Sequence, residues 1–318
     1  MNLLSNRETK EAIYLVTGGC GFIGSHLVDL LIAKGYRVRV LDDLSNSTKK
    51  YLHSDAEFIY GSLNDEHALT QALEGVGHIF HLAAMVSVPE SMARWHQSHL
   101  VNCGGTIHLL ERAKGIPIVF ASSAAVYGNL PTLTHSENAL TNPLSPYAID
   151  KLTCEWHAKI AWQLYGTPSI ACRFFNVYGP RQNPSSPYSG VISKFADCLV
   201  KRTPLNIFGD GNQSRDFIYV KDVVRMLDEA MGSLTKGAHV YNFCTGIAYT
   251  INELASQMMR ISDIELTTNF MPARQGDCFS SLGDPTKAIR ERGLKAKIPL
   301  EIGIKLLMQE ILPEVIVN

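Results

Sequence analysis

The chain has 318 residues, with 29 Lys and Arg against 30 Asp and Glu and a formal net charge of −1; so even a balance gives no reason for a nucleic-acid or membrane-surface role. The length leaves room for two lobes on one body. The seven cysteines are odd in number and scattered, with neither Cys-x-x-Cys nor a zinc spacing with the histidines, and read as reduced thiols of a cytoplasmic protein without a metal site.

Met1–Glu11 is polar, holds no apolar run long enough for a signal peptide or a membrane span, and is expected as a short extension. Ile13–Val16 then reads as a buried strand that drops into a turn with glycines at 18, 21 and 24, followed by Leu27, Leu30 and Leu31 at helical spacing. Each glycine answers a physical need. Gly18 makes the tight turn, Gly21 leaves room for backbone to approach a pyrophosphate, and Gly24 allows close helix–strand packing. The helix opening at Phe22 and Ile23 aims its free N–H groups and positive dipole end at the phosphates.

After a glycine stop at Lys34-Gly35, Tyr36–Leu41 alternates into a second strand tipped by Asp42 and Asp43. A carboxylate at Asp42 accepts from the adenosine ribose hydroxyls and repels a 2′-phosphate. No Arg follows closely to welcome that phosphate, so the reading is NAD rather than NADP; a strand-end acid in an ordinary loop is the bland alternative. Asn46 and Ser47 in the next loop are candidates for further ribose contacts. Glu57–Gly61 is the third strand, ending at Ser62 and Leu63 where adenine should lie; 65–75 is helical; His78–Ala84 is the fourth strand. Its end, Leu82, Ala83 and Ala84, is small enough for a dinucleotide to lie close to backbone. A long helix over Trp95–Lys114 contains Asn102, and Ile118–Ser123 is the fifth strand. Strands alternating with helices predict a doubly wound, Rossmann-type parallel α/β sheet with ligands at the carboxyl ends of its strands.

Ser145 is a natural N-cap and Pro146 a natural first helical residue, so Tyr147 and Lys151 share one face of a new helix. Of the twelve tyrosines only Tyr147 has a Lys four residues on. An ammonium near a phenol favours the phenolate, which makes Tyr147 a candidate base near neutral pH; an exposed surface pair is the alternative.

Thr17-Gly-Gly-x-Gly-Phe-Ile-Gly24, Ser122-Ser123-Ala-Ala-Val-Tyr-Gly128 and Tyr147-x-x-x-Lys151, in this order, resemble the extended short-chain dehydrogenase/reductase family. Arg173-Phe-Phe-Asn176-Val-Tyr-Gly-Pro-Arg181, Gly209–Phe217 and Arg274-Gln-Gly-Asp277 resemble its nucleotide-sugar branch. The resemblance implies that Ser123 hydrogen-bonds a sugar C4 oxygen, that Tyr147 takes its proton, and that Lys151 binds the nicotinamide ribose. It places Asn102 and Phe174 at the cofactor. It places Asn176, Val191, Asn206, Phe208, Arg215, Arg274 and Asp277 around a UDP-sugar, with Ser87 a candidate sugar contact or merely an exposed loop serine. Phe208 as simple core, and Arg215 paired with Asp216 or Asp222, remain open.

Family members that dehydrate or decarboxylate carry an acid just after this serine or threonine; here stand Ala124 and Ala125, which favours 4-epimerisation. Ser281 aligns where family members border the sugar's position 2, and its small side chain suits an N-acetyl group, so UDP-N-acetylglucosamine/UDP-N-acetylgalactosamine interconversion is expected, with the plain hexoses tolerated. A UDP-uronic acid 4-epimerase using Arg181, and a non-catalytic dinucleotide sensor, are the rivals. Two positions depart from the family pattern: Ser62, where an Asp is common, and Ala121, where some relatives have a third serine. The expected lobes interleave: 12–175 with returning segments near 216–250 for the dinucleotide, 176–215 and 251–318 for the substrate. The resemblance also implies a homodimer joined through helices near 95–114 and 147–165.

Overall fold

The computed structural model describes residues 12–129, 134–184, 189–273 and 279–312; the Met1–Glu11 extension, Arg274 and Asp277 lie outside them. In chain order the elements are β1 (Ile13–Thr17), α1 (Phe22–Ala33), β2 (Arg37–Asp42), β3 (Glu57–Tyr60), α2 (Glu66–Leu73), β4 (Val76–His81), α3 (Val88–Ala93), α4 (Trp95–His99), α5 (Gly105–Arg112), β5 (Ile118–Ser123), α6 (Pro146–Tyr165) and β6 (Ser169–Phe174). They continue through β7 (Asn176–Tyr178), α7 (Val191–Lys201), β8 (Leu205–Phe208), β9 (Ser214–Tyr219), α8 (Val220–Gly232), β10 (Ala238–Phe243), β11 (Ala248–Thr250), α9 (Ile251–Ser262), β12 (Thr268–Met271), β13 (Ser280–Ser281), α10 (Thr286–Arg292) and α11 (Leu300–Ile311). The described residues form two compact units, each assembled from three segments: those within 12–126, 143–173 and 224–241 in one, those within 127–142, 174–223 and 242–312 in the other.

The first unit is built on a seven-stranded sheet in the order β10-β6-β5-β4-β1-β2-β3, with β1 parallel to both β2 and β4. Strand order reverses between β1 and β4, the crevice where such sheets take ligands. The core runs through Leu15, Leu41, Ile79, Phe120 and the helix residues Leu69, Leu109 and Ala158. Local chemistry sets the helices: Asp65 Oδ1 caps α2 through the N–H groups of His67 and Ala68, and Ser145 caps α6 with Pro146 behind it. α6 stops where Gly166 turns left-handed at φ 67°. β4 ends at His81 rather than Ala84, so Leu82–Ala84 is loop. The helix expected over 95–114 is α4 and α5 joined by a π-helical turn, Leu100–Gly104, and β6, not recognised in the sequence, is the sixth strand.

The second unit holds a four-stranded sheet, β11-β9-β13 with β7 on β9, and a separate β8–β12 pair. The expected boundaries shift for packing reasons. Tyr127 donates to Asn242 Oδ1 at 2.7 Å and stacks on His135, so 127–142 belongs here. β11 pairs with β9, opposing Ala248 to Asp216, which keeps 216–223 and 242–250 in this unit as well. Among the described residues no helix is long and apolar enough to cross a membrane, and the six described cysteines are free thiols.

Candidate active site

The glycine turn is shaped by contact. A Cβ at Gly18 would lie 2.7 Å from Ala83 N, and one at Gly24 2.1 Å from Gly18 O; at Gly21 the nearest atom would be Gly18 O at 3.2 Å. Gly18 and Gly24 are therefore fixed by packing, while Gly21 keeps open the approach to α1. That helix has Gly21 at its N-cap and no side-chain cap, so the first-turn N–H groups at Phe22, Ile23 and Gly24 suit a pyrophosphate. Asp42, 8% exposed, accepts from Cys20 N–H at 3.0 Å, Leu44 N–H at 2.9 Å and the Ser47 hydroxyl at 2.8 Å. Three of a carboxylate's roughly four acceptor sites are filled, leaving capacity for a ribose hydroxyl. Ser47 thus orients Asp42, and Asn46 stands exposed. Ser62 Oγ accepts from Asn64 N–H, and Leu63 is buried beside it. These features fit a dinucleotide with a free 2′-hydroxyl.

Asn102 sits in the π turn, 1% exposed. Its amide clamps one residue of the opposite loop, accepting from Met85 N–H at 2.8 Å and donating to Met85 O at 3.1 Å, and also donates to Ser98 Oγ. Sequence reasoning put this side chain on the cofactor; the structure engages it with the loop after β4. Ser87, the other residue of this region singled out, is buried rather than an exposed loop serine, and caps α3 through Glu90 N–H.

Tyr147, Lys151 and Glu155 form one stripe of α6, each facing β5. Tyr147 is hydrogen-bonded to the Ser123 side chain, Lys151 Nζ donates to Ala121 O at 2.9 Å, and Glu155 Oε1 accepts from the Ser122 hydroxyl at 2.6 Å. Glu155 also takes two hydrogen bonds from Arg173, at 2.9 and 2.7 Å, with both side chains at most 5% exposed. This buried, bidentate pair braces β5 and β6 against α6. Ala124 and Ala125 follow Ser123 in a short 3₁₀ turn, and Ser123 Oγ accepts from Ala125 N–H.

Electrostatics correct one expectation. Burial raises the Tyr147 pKa above its ordinary value, against the lowering pull of the Ser123 hydrogen bond. Burial likewise lowers that of Lys151, with Cys154 and Asp150 acting the other way. The ammonium lies 5.9 Å from the phenol ring centroid and donates to a carbonyl instead. Burial is thus the leading influence on the phenol, and it disfavours the charged form.

In the second unit a cavity of about 250 Å³ is lined by Asn176, Val191, Asn206, Phe208 and Arg215 together, five residues selected separately from sequence. Phe208 is therefore a cavity wall at the end of β8 rather than simple core. Asn176 Nδ2 donates to Asp216 O. The Asp216 carboxylate is held by Thr245, Gly246 and Gly283, and that of Asp222 by Lys297 and Ile298 N–H. Arg215 donates to Ser214 O and lines the cavity. Ser281 lies on β13 opposite Arg215. Phe174 ends β6, its ring 5.7 Å from that of Phe243. Lys194 and Gln213 also line the cavity and were not singled out; Lys194, three residues beyond Val191, was findable by helical spacing, whereas Gln213 had no signal. Among the described residues no cluster of His, Cys, Asp or Glu could hold a metal ion.

Comparison with known proteins agrees with this architecture. A UDP-glucose 4-epimerase of Mycolicibacterium smegmatis is 36% identical over 300 residues, covering 91% of this chain and 95% of that protein. The UDP-glucose 4-epimerase of Thermotoga maritima, solved with UDP-glucose, superposes with a TM-score of 0.91 at 35% identity, over 95% of this chain and 99% of that one. A UDP-N-acetylglucosamine 4-epimerase from Methanobrevibacter ruminantium, solved with UDP-N-acetylmuramic acid, does so with a TM-score of 0.90 at 33% identity, over 96% and 99%. The family model described as NAD dependent epimerase/dehydratase matches residues 14–244. With its glycine turn, Asp42 and the Ser–Tyr–Lys stripe, the chain belongs to this NAD-dependent epimerase/dehydratase family, the extended short-chain dehydrogenase/reductases.

Proposed function

We propose that this protein is a UDP-sugar 4-epimerase acting on UDP-N-acetylglucosamine and UDP-N-acetylgalactosamine, with the plain hexose pair tolerated. The observation that carries the reaction type is the Ser123–Tyr147–Lys151 group standing next to Ala124 and Ala125. Two methyl groups where a dehydratase or decarboxylase needs an acid leave no second proton carrier on that strand. NAD, which the glycine turn and Asp42 would hold, would supply the hydride acceptor and donor that a change of configuration at the sugar C4 requires. Ser123 holds the C4 oxygen, and Tyr147, entering as the phenolate, takes its proton on oxidation and gives it back as the phenol on reduction. Lys151, fixed by Ala121 O, holds the nicotinamide ribose and orients the phenol. Gly18, Gly21, Phe22, Ile23, Gly24, Asp42, Leu63, Leu82, Ala83 and Ala84 frame the dinucleotide.

In the second unit, Asn176, Val191, Asn206, Phe208 and Arg215 hold the UDP moiety, Arg215 by its fork of donors, with Arg274 and Asp277 added from outside the described residues. The small side chain of Ser281 supports the acetamido sugar; pocket size argues permission rather than preference. The apolar residues exposed along α6, Ile149, Trp156, Ile160 and Leu164, support a homodimer covering that face.

The test is a substrate panel. The protein with NAD is incubated with acetamido, neutral and uronic UDP-sugars, and the 4-epimer is followed by NMR. Turnover of the acetamido pair is expected. A uronic sugar winning by about tenfold, some 1.4 kcal/mol of discrimination, would overturn the substrate but not the reaction; no turnover with NAD bound would favour the sensor.

A further inference from the structure

Four buried groups that the mechanism does not use, Thr17, His81, Thr106 and Asn102, surround the loop after β4 in the first unit. We propose that His81 is a positioning residue for the dinucleotide: wired between Thr17 and Thr106, it acts with the Asn102 clamp to hold the Leu82–Met85 segment, and through it the glycine turn, in one arrangement. The inference rests on the reading of that turn as the dinucleotide site.

The hydrogen positions follow from the partners. Thr106 Oγ1 lies 2.6 Å from Asn102 O, a carbonyl, so the hydroxyl must donate there. It can then only accept from His81 Nε2, 2.9 Å away, and that nitrogen carries the ring proton. In a neutral imidazole the other nitrogen is an acceptor, so His81 Nδ1 takes the Thr17 hydroxyl proton at 2.8 Å. Thr17 Oγ1 is left to accept from Ala83 N–H at 3.3 Å. A protonated ring would donate on both sides and leave the Thr17 hydroxyl hydrogen without this acceptor. Burial, then the charge of Lys151, holds the ring neutral, its pKa pulled down to about 3.

The segment is thereby fixed at three donors. Leu82 N–H goes to Thr17 O at 3.0 Å, Ala83 N–H to Thr17 Oγ1, and Met85 N–H to Asn102 Oδ1. Gly18 packs backbone-to-backbone on this segment, with no room for even a Cβ against Ala83 N, so a displacement of the loop must displace the turn. The extra residue in the π turn brings Asn102 O and its amide to the wire and the loop at once, consistent with the use of such turns at functional sites.

Two measurements test this. In ligand-free protein labelled with 15N-histidine, the His81 ring, assigned by its loss in His81→Gln, is expected as the Nε2–H tautomer, unchanged down to about pH 5 although an ordinary histidine titrates near 6.5. Thr17→Val is expected to weaken NAD binding about tenfold, and Thr17→Ser to restore it to within about twofold, with UDP affinity unmoved in both, because the buried network loses both hydrogen bonds of the Thr17 hydroxyl in the first and keeps them in the second. Should Thr17→Val not fold, Thr106→Val takes its place, with a mixed His81 tautomer and weakened NAD binding expected. An Nδ1–H tautomer, titration above about pH 5, or wild-type NAD affinity in the folded valine variant overturns the proposal. Failure of the wild type itself to bind NAD, with the tautomer as assigned, would instead overturn the dinucleotide reading, and the positioning role with it.

Discussion

Acid should weaken the first unit, and the share carried by His81 can be isolated. His81 is 3% exposed, and its pKa is pulled down to about 3, chiefly by burial; in the unfolded chain it returns to about 6.5. Between those values the unfolded chain binds a proton that the folded protein refuses, so the stability is fully present above about 6.5 and is lost as pH falls toward about 3. At pH 5 the loss depends only on the unfolded value and is about 2 kcal/mol, a sizeable share of a typical 5–15 kcal/mol total. Tryptophan fluorescence during urea unfolding is the assay, because the three tryptophans, Trp95, Trp156 and Trp162, all lie in the first unit. The comparison is with His81→Gln, which cannot titrate. The wild type's stability relative to the variant should fall by about 2 kcal/mol between pH 7 and pH 5. Burial also pushes His78 and His135 down, but both are common to the two proteins and cancel. Parallel pH profiles would refute the reasoning.

Tyr147→Phe should lower turnover by roughly 10²–10⁴-fold while leaving UDP-sugar affinity nearly unchanged, since only the phenolic oxygen is lost; normal turnover by NMR would reject the base assignment. Gly24→Ala places a Cβ 2.1 Å from Gly18 O and 2.8 Å from Gly19 Cα, backbone that cannot step aside, so purified protein should lose NAD, checked by absorbance of released dinucleotide. Asp216→Asn puts an amide donor among N–H groups at 2.9–3.3 Å and should cost about 1–3 kcal/mol, read as a lowered melting temperature. Ser281→Tyr should depress kcat/KM for acetamido sugars more than for plain hexoses; equal losses would remove Ser281 from the sugar's position 2.

Much of the cofactor site is local chemistry and was therefore legible. A strand, three glycines at fixed offsets, a helix and an acid at the next strand tip occupy thirty consecutive residues, Ile13–Asp42, and what each contributes follows from backbone sterics. The same holds for Ser145-Pro146 starting α6, and for Tyr147 and Lys151 on one face of it. The cavity of the second unit was legible residue by residue, through motif resemblance, but not as a cavity: β7, α7, β8 and β9 have to meet before Asn176, Val191, Asn206, Phe208 and Arg215 line one space.

Sequence by itself determined the first five strands and their alternation with helices, the dinucleotide turn and the placing of Tyr147 and Lys151 on one face of α6, because hydrophobic periodicity, glycine conformation and helical spacing act over a few residues. Tertiary structure decided the rest: which segments 127–142 and 242–250 pack with, that Glu155 is paired with Arg173, and that Asn102 grips Met85. It decided, too, that burial raises the Tyr147 pKa against the pull of Ser123. Those outcomes depend on which groups lose water together and which partners, dozens of residues away, replace it, and no local pattern encodes that.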